Sequence, residues 1–156
     1  MAISTGRAIE VFGTLDAADD GTTSAISEGA MSAAADVTAW TNTDDAASVK
    51  LILNWQYPSG TIDGDIDSHV RPINVDGTSD TPQPTTANKI GHAGSFRIAT
   101  NQSATTDTPY VKLISLVPFA VKTSQEYEFY LFNDSGVQIS ANWDLDVVPS
   151  AFGEAA

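Results

Sequence analysis

The stretch that decides the fold is VQISANWDLDV, residues 137–147. Its odd-numbered positions are all apolar and its even-numbered positions are all polar. The apolar set consists of Val137, Ile139, Ala141, Trp143, Leu145 and Val147. An alternation with a period of two predicts a β-strand with one buried face and one wet face. Pro149 has no N–H to give to a ladder, so we expect the strand to end before it.

The stretch immediately upstream, EYEFYLF at 126–132, is rich in aromatic residues that favour strands. Between the two stretches, NDSG at 133–136 supplies the residue types of a tight turn. The two stretches together therefore predict a β-hairpin. In its first strand, Tyr130 and Phe132 share a face with two glutamates, while further aromatic residues occupy the opposite face. A strand with aromatic residues on both faces is either central in its sheet or covers something outside its own domain.

Several other stretches alternate in the same way. The clearest run over residues 49–57, 65–75 and 110–117, and shorter ones over 9–15, 37–42 and 95–99. Seven or eight short strands divided by Gly, Pro, Asn and Asp predict an all-β fold, an antiparallel β-sandwich that is jelly-roll-like.

The domain boundaries follow from the same pattern. We expect one β-sandwich domain at 9–149, an N-terminal arm at 1–8 and a C-terminal tail at 150–156. Residues 24–36 are rich in Ala and Ser but lack an apolar stripe, so an extended or irregular segment is expected there. The loop at 76–88 contains two prolines and is expected to be exposed to solvent.

The composition limits the classes of partner. The 156 residues include 7 Lys and Arg against 20 Asp and Glu, which gives a formal net charge of −13. Binding to nucleic acid or to an anionic membrane is disfavoured, because both partners need clustered positive charge. The acidity fits either solubility or a basic protein partner. No apolar signal-peptide core and no run of 18 apolar residues is present, so we expect a soluble product made in the cytoplasm.

The most suggestive set of side chains is Asp63, Asp65 and Asp67 in TIDGDIDSH. Carboxylates at positions 1, 3 and 5 resemble the start of a calcium loop. The match ends at Ser68, where such a loop needs glycine, and at Asn74, where it needs a glutamate. A turn that leads into a strand edge is the alternative, so the three aspartates are only a weak candidate for a metal site.

The sequence gives no pattern typical of an enzyme. With no cysteine and only His69 and His92, no spacing indicates a zinc site. On a strand, His69 shares a face with Asp67 and Arg71, which predicts a solvent-facing histidine. No elbow sequence presents a nucleophilic serine and no glycine-rich phosphate loop is present. We therefore expect no catalytic residues and no cofactor.

Tyr130 and Phe132 are candidates for an interface. Aromatic residues beside charged ones at a strand surface match the core and rim of a protein interface. Coverage by another sheet or loop of the same chain is the alternative.

Four stretches together resemble small structural proteins of tailed bacteriophages, some of which are capsid decoration, or cement, proteins. They are TNTDDA (41–46), HVRPINVDGTSDTPQP (69–84), GHAGSF (91–96) and TSQEYEFYLFNDSGVQISANWDLDVVP (123–149). The resemblance implies a β-sandwich that attaches to the outside of a capsid and stabilises the shell. It brings no active-site residues with it.

The resemblance also implies where the chain acts and with what. It implies a virion protein on the capsid exterior whose partners are the major capsid protein and further copies of itself, a trimer being one option. We expect the arm, with Met1, Ile3 and Arg7, and the face with Tyr130 and Phe132 to make intersubunit contacts. The alternative hypothesis is a carbohydrate- or receptor-binding β-sandwich module of a vertex or tail structure.

Overall fold

The fold is seen in a computed structural model, which describes residues 8–13, 16–21, 24–43, 46–57, 60–97, 102–103, 110–116 and 124–154. The strands are β1 (Ala8–Phe12), β2 (Asp16–Asp20), β3 (Trp40–Asn42), β4 (Ser48–Asn54), β5 (Thr61–Ile62), β6 (Asp65–Ile73), β7 (His92–Arg97), β8 (Gln102–Ser103), β9 (Tyr110–Ser115), β10 (Gln125–Asp134) and β11 (Asp144–Glu154). One 3-10 turn spans Ala34–Asp36. Within the described ranges, no helix is long and apolar enough to cross a membrane.

Two antiparallel sheets form a β-sandwich, which confirms the predicted fold class. Sheet I has the strand order β1-β11-β4-β9, with β2 also paired to β11, and sheet II has the order β3-β10-β6-β7. The short strands β5 and β8 form a separate two-stranded ladder. Most pairings join strands that are far apart in the sequence, so each sheet is completed by both halves of the chain.

The core lies between the inner faces of the two sheets. From sheet I, Val49, Leu51 and Leu53 of β4 are completely buried. From sheet II, Tyr127 and Phe129 of β10 are buried in the same cluster. Complete burial of one such side chain contributes about 1.5–3 kcal/mol, so these alternating positions hold the sandwich together.

The predicted hairpin between 126–132 and 137–147 is wrong. Strand β10 lies in sheet II and β11 lies in sheet I, and β11 begins only at Asp144. The residues between them cross from one sheet to the other, with a single bridge between Ile139 and Ile26. Ile139 and Trp143 are nevertheless completely buried. The alternation therefore identified the side chains that face the core, which an irregular crossing can also supply.

The predicted strand end at Pro149 and the predicted tail at 150–156 also need correction. Strand β11 continues through Pro149 to Glu154, and residues 150–154 pair with β1. The Pro149 carbonyl accepts a hydrogen bond of 2.8 Å from the Gly13 N–H. Since the carbonyl and the nitrogen of a strand residue point to the same side, the missing N–H faces the passage between β1 and β2. The ladder to β4 therefore loses no bond.

The Ala- and Ser-rich segment is irregular, as expected. Met31 bridges to Phe132 alongside β10, and the Ser32 hydroxyl accepts a hydrogen bond from the Leu131 N–H at 3.0 Å. The only helical residues in it are those of the 3-10 turn. The segment thus covers the edge of β10 next to β3.

Candidate functional site

An exposed apolar patch lies on the outer face of sheet I. Val111 is 59% exposed and Leu113 is 55% exposed, and they are the exposed large apolar side chains of the described residues. Both belong to β9, which is the last strand of the sheet. A large apolar side chain in this position has no covering layer within the described part of the chain.

The register extends this patch over two neighbouring strands. Val111 lies opposite Ile52 of β4, and Leu113 lies next to Val148 of β11 with Lys50 between them. Because directly opposite residues share a face, these apolar side chains are neighbours. We call the set Val111, Leu113, Ile52 and Val148 the apolar patch. Ile52 and Val148 are half-buried.

Two carboxylates border the apolar patch. Asp146 lies opposite Ile52, and Asp144 follows on the same face of β11. Partial burial, and then the negative charge of Asp144, raise the pKa of Asp146. A cation placed on this side would lower that pKa and stabilise both ionised carboxylates. The border is thus suited to Lys or Arg side chains of a partner.

The sequence did not identify the apolar patch, although the strand itself was predicted. Both faces of β9 carry apolar residues, so the alternation did not show which face is covered. Ile114 and Leu116 face the core, and Val111 and Leu113 face outward. The available signal was the one noticed in β10, namely apolar side chains on both faces of one strand.

The outer face of sheet II is covered by the chain itself. Residues 76–91, which we call the cover loop, fold over Tyr130 and Phe132, which are only 1% and 3% exposed. The Lys89 ammonium lies 3.4 Å from the centre of the Phe132 ring. As the chain stands, neither aromatic ring offers surface to a partner, and the alternative of coverage by the same chain describes them.

The cover loop is anchored at several points. The Arg71 guanidinium donates to the Thr81 carbonyl at 2.8 Å and forms an ion pair with Glu128 at 2.6 Å. The Met31 N–H donates to the Thr86 hydroxyl at 3.2 Å. Most of the loop is exposed, as predicted, but Pro84 is buried. The loop is thus a docked layer and not a freely solvated connection.

His69 lies beneath the cover loop and is 1% exposed. Its face of β6 was predicted correctly, since it pairs with Tyr130 on the outer side, but the prediction of a solvent-facing histidine is wrong because the loop covers it. Its Nδ1 donates to the Ile90 carbonyl at 2.9 Å, because a carbonyl only accepts. Its Nε2 is buried with no hydrogen-bond partner in the described structure. Burial is the main cause that lowers the pKa of His69.

A short row of polar groups continues from His69. The His92 ring lies 5.5 Å from the His69 ring, and His92 Nε2 is 3.6 Å from an Asp67 carboxylate oxygen. The Ser95 hydroxyl donates to that same oxygen at 2.6 Å. A nucleophilic serine needs a base such as histidine to accept its proton, and here the carboxylate takes that place. The row therefore lacks the arrangement of a serine nucleophile.

The three aspartates of the weak calcium candidate lie along the start of β6. Asp63 precedes the strand and is exposed, while Asp65 and Asp67 are half-buried within it. Asp67 is already engaged with Ser95. No three His, Asp or Glu side chains of the described residues come together in a way that could hold a metal ion.

The remaining predicted contact residues are Met1, Ile3 and Arg7, and they lie outside the described residues. Comparisons with protein-family models, with curated proteins and with solved structures found no match to this chain.

Proposed function

We propose that this chain is a non-enzymatic structural protein of a virus particle, which docks on the outer surface of the capsid and stabilises the shell. The docking surface is the apolar patch. This assignment replaces the Tyr130 and Phe132 face, which the cover loop occupies.

The observation that carries the proposal is the exposure of Val111 and Leu113, each more than half exposed, on the outer face of a sheet. Burying one such side chain in an interface contributes about 1.5–3 kcal/mol. Apolar side chains in the centre with charged groups at the border match the anatomy of protein interfaces. Many copies bound to one shell would then hold firmly even if each contact is weak.

The charges indicate what kind of surface the partner presents. Asp144 and Asp146 border the patch, and the whole chain carries a formal charge of −13. Two copies of such a chain repel each other, whereas a partner with Lys or Arg around an apolar centre is attracted. The proposed partner surface on the capsid is therefore apolar at its centre and basic at its rim.

The strand order supports the proposal by analogy of fold. Counting β1 and β2 as one strand and leaving out the two-residue strands, the first strand pairs with the eighth, the second with the seventh, the third with the sixth and the fourth with the fifth. Eight strands in two Greek keys form the jelly roll, an architecture of viral capsid and lectin domains. Because one fold serves many functions, this analogy is secondary to the surface.

The test is binding to capsids that lack this chain. Particles are purified from a virus in which its gene is deleted, and the recombinant chain is added back and measured by cosedimentation. We expect the double variant Val111→Asp/Leu113→Asp to bind at least about tenfold more weakly, because burying two carboxylates costs more than the 1.4 kcal/mol that a tenfold change requires.

The matched control adds the same charge elsewhere. Gln83 and Ala87 are exposed on the cover loop, so Gln83→Asp/Ala87→Asp should leave binding unchanged. We also expect Asp144→Asn/Asp146→Asn to weaken the dependence of binding on salt. If both aspartate double variants bind like the original chain, the apolar patch is not the docking surface. If the original chain does not bind these particles at all, the proposed function is wrong.

A further inference from the structure

The geometry around His69 suggests more than a structural role for the cover loop. The Nδ1–H of His69 is used by the Ile90 carbonyl of the loop. In a neutral imidazole only one nitrogen carries a proton, so Nε2 is the unprotonated one. It is buried and makes no hydrogen bond in the described structure.

Protonation of His69 would place an unpaired donor and a positive charge in this position. The titratable groups around the ring are Asp67 and Arg71 of β6, Glu128 and Tyr130 of β10, His92 of β7 and Lys89 of the loop. Arg71 and Glu128 are paired with each other, and burial keeps Tyr130 neutral by raising its pKa. Lys89 and a protonated His92 would repel the new charge.

Asp67 is the one carboxylate on that list not paired with Arg71, and it already accepts a hydrogen bond from Ser95. A buried charge that gains no partner is costly. The structure can avoid this cost by admitting water to His69, and the layer above it decides how easily that happens.

The cover loop is the part that can yield. Near His69 it is held by the bond from Ile90 and by the Val70 N–H, which donates to the Gly91 carbonyl at 2.8 Å. Residues 85–89 are exposed on their outer side. Strand β6 by contrast is paired on both sides by β10 and β7. Segments with few buried contacts open at a lower free energy than paired central strands.

We propose that the cover loop is an acid-sensitive latch, in which protonation of His69 releases residues 84–91 from sheet II and uncovers Tyr130 and Phe132. Lys89 leaves the Phe132 ring in the same movement. The uncovered surface is aromatic and lies on the opposite sheet from the apolar patch, so this inference does not depend on the proposed function.

The direction of the pH effect follows from the burial of His69. Its pKa in the closed state is below the ordinary value of 6.5, whereas in the open state it returns toward that value. The closed latch is therefore fully stable above pH 6.5 and loses stability as the pH falls from 6.5 to the closed-state pKa. Over that range the opening constant rises by up to about tenfold for each pH unit.

Amide hydrogen exchange measured by NMR at pH 7.5 and at pH 5.5 tests the latch, with rates corrected for chemical exchange. The Val70 and Met31 amides report on it, because both donate to the loop. We expect their protection to fall by between about threefold and tenfold at pH 5.5. Amides of β4, in the other sheet, should keep their protection. Unchanged protection at Val70 and Met31 would overturn the proposal.

Two variants assign the effect to one histidine. His69→Asn keeps an N–H donor for Ile90 but does not titrate, so the latch should stay closed at pH 5.5. His92→Gln, whose side chain is half exposed, should respond to pH like the original chain. The opposite pattern would overturn the proposal. If His69→Asn does not fold, the NMR titration of His69 in the original chain decides, and a pKa above 6.5 contradicts the latch.

Discussion

At the scale of single residues, the interior depends on polar side chains as well as on apolar ones. Asn133 at the end of β10 is completely buried, and its amide group donates to the carbonyls of Ile26 and Val137, 2.9 and 2.8 Å away. Its carbonyl oxygen accepts from the hydroxyl of Ser135 at 2.6 Å. One side chain thus ties the end of β10 to two irregular segments, and buried groups bonded in this way are costly to separate.

We therefore expect Asn133→Ala to lower the free energy of unfolding by about 3 kcal/mol, because it leaves buried donors and acceptors unpaired. Asn54→Ala is the matched control, since Asn54 is half-buried on the outer face of sheet I, and it should change stability by no more than about 0.5 kcal/mol. Urea denaturation followed by tryptophan fluorescence measures both. Equal effects of the two variants would contradict the role given to Asn133.

Such residues could not be found from the sequence. Asn133 was predicted to lie in a hairpin turn, where asparagine is common, and the same residue type also fits a buried hydrogen-bonding position. Similarly, the face of His69 followed from the period of β6, but its burial depends on the cover loop, which packs there through Pro84 and Lys89. Burial by a non-regular segment leaves no periodic signal.

At the scale of strands, the alternation of β4 separates the two sides of sheet I. Leu51 faces the core and is completely buried, whereas its neighbour Ile52 faces outward in the apolar patch and is half-buried. The two residues have side chains of the same volume and sit on the same central strand. They therefore form an internal comparison of the core with the proposed docking surface.

We expect Leu51→Ala to lower the free energy of unfolding by about 2–5 kcal/mol, because it opens a cavity in a packed core. Ile52→Ala should cost no more than about 1 kcal/mol, since a half-exposed side chain leaves no closed cavity. Chemical denaturation of both variants gives the comparison. A loss at Ile52 as large as that at Leu51 would show that the outer face is covered by part of the chain.

Strand existence was largely predictable, and strand pairing was not. The strands at β4, β6 and β9 follow the predicted alternations, whereas β2 has the sequence DAADD, with no residue that favours strands. It is a strand because β11 offers it an edge, at Val147 opposite Asp16 for example. The hairpin prediction was wrong for the same reason, since neighbouring stretches pair with distant strands and a short-range pattern does not encode the choice of partner.

At the scale of the whole molecule, a sandwich of 156 residues presents two different outer faces. Sheet I is open and carries the apolar patch, while sheet II is closed by the cover loop. The formal charge of −13 opposes self-association and favours a basic partner. These properties together describe a module that is stable alone and whose open face is completed by another protein.

The most direct test of this account is the amount of the chain in purified virus particles. Particles are isolated from cells that express the chain, washed in moderate salt, and analysed by quantitative mass spectrometry against the major capsid protein. The account predicts a fixed ratio of copies on the shell, which falls sharply when Val111→Asp/Leu113→Asp replaces the original chain. A chain that stays in the soluble fraction and is missing from washed particles would contradict it.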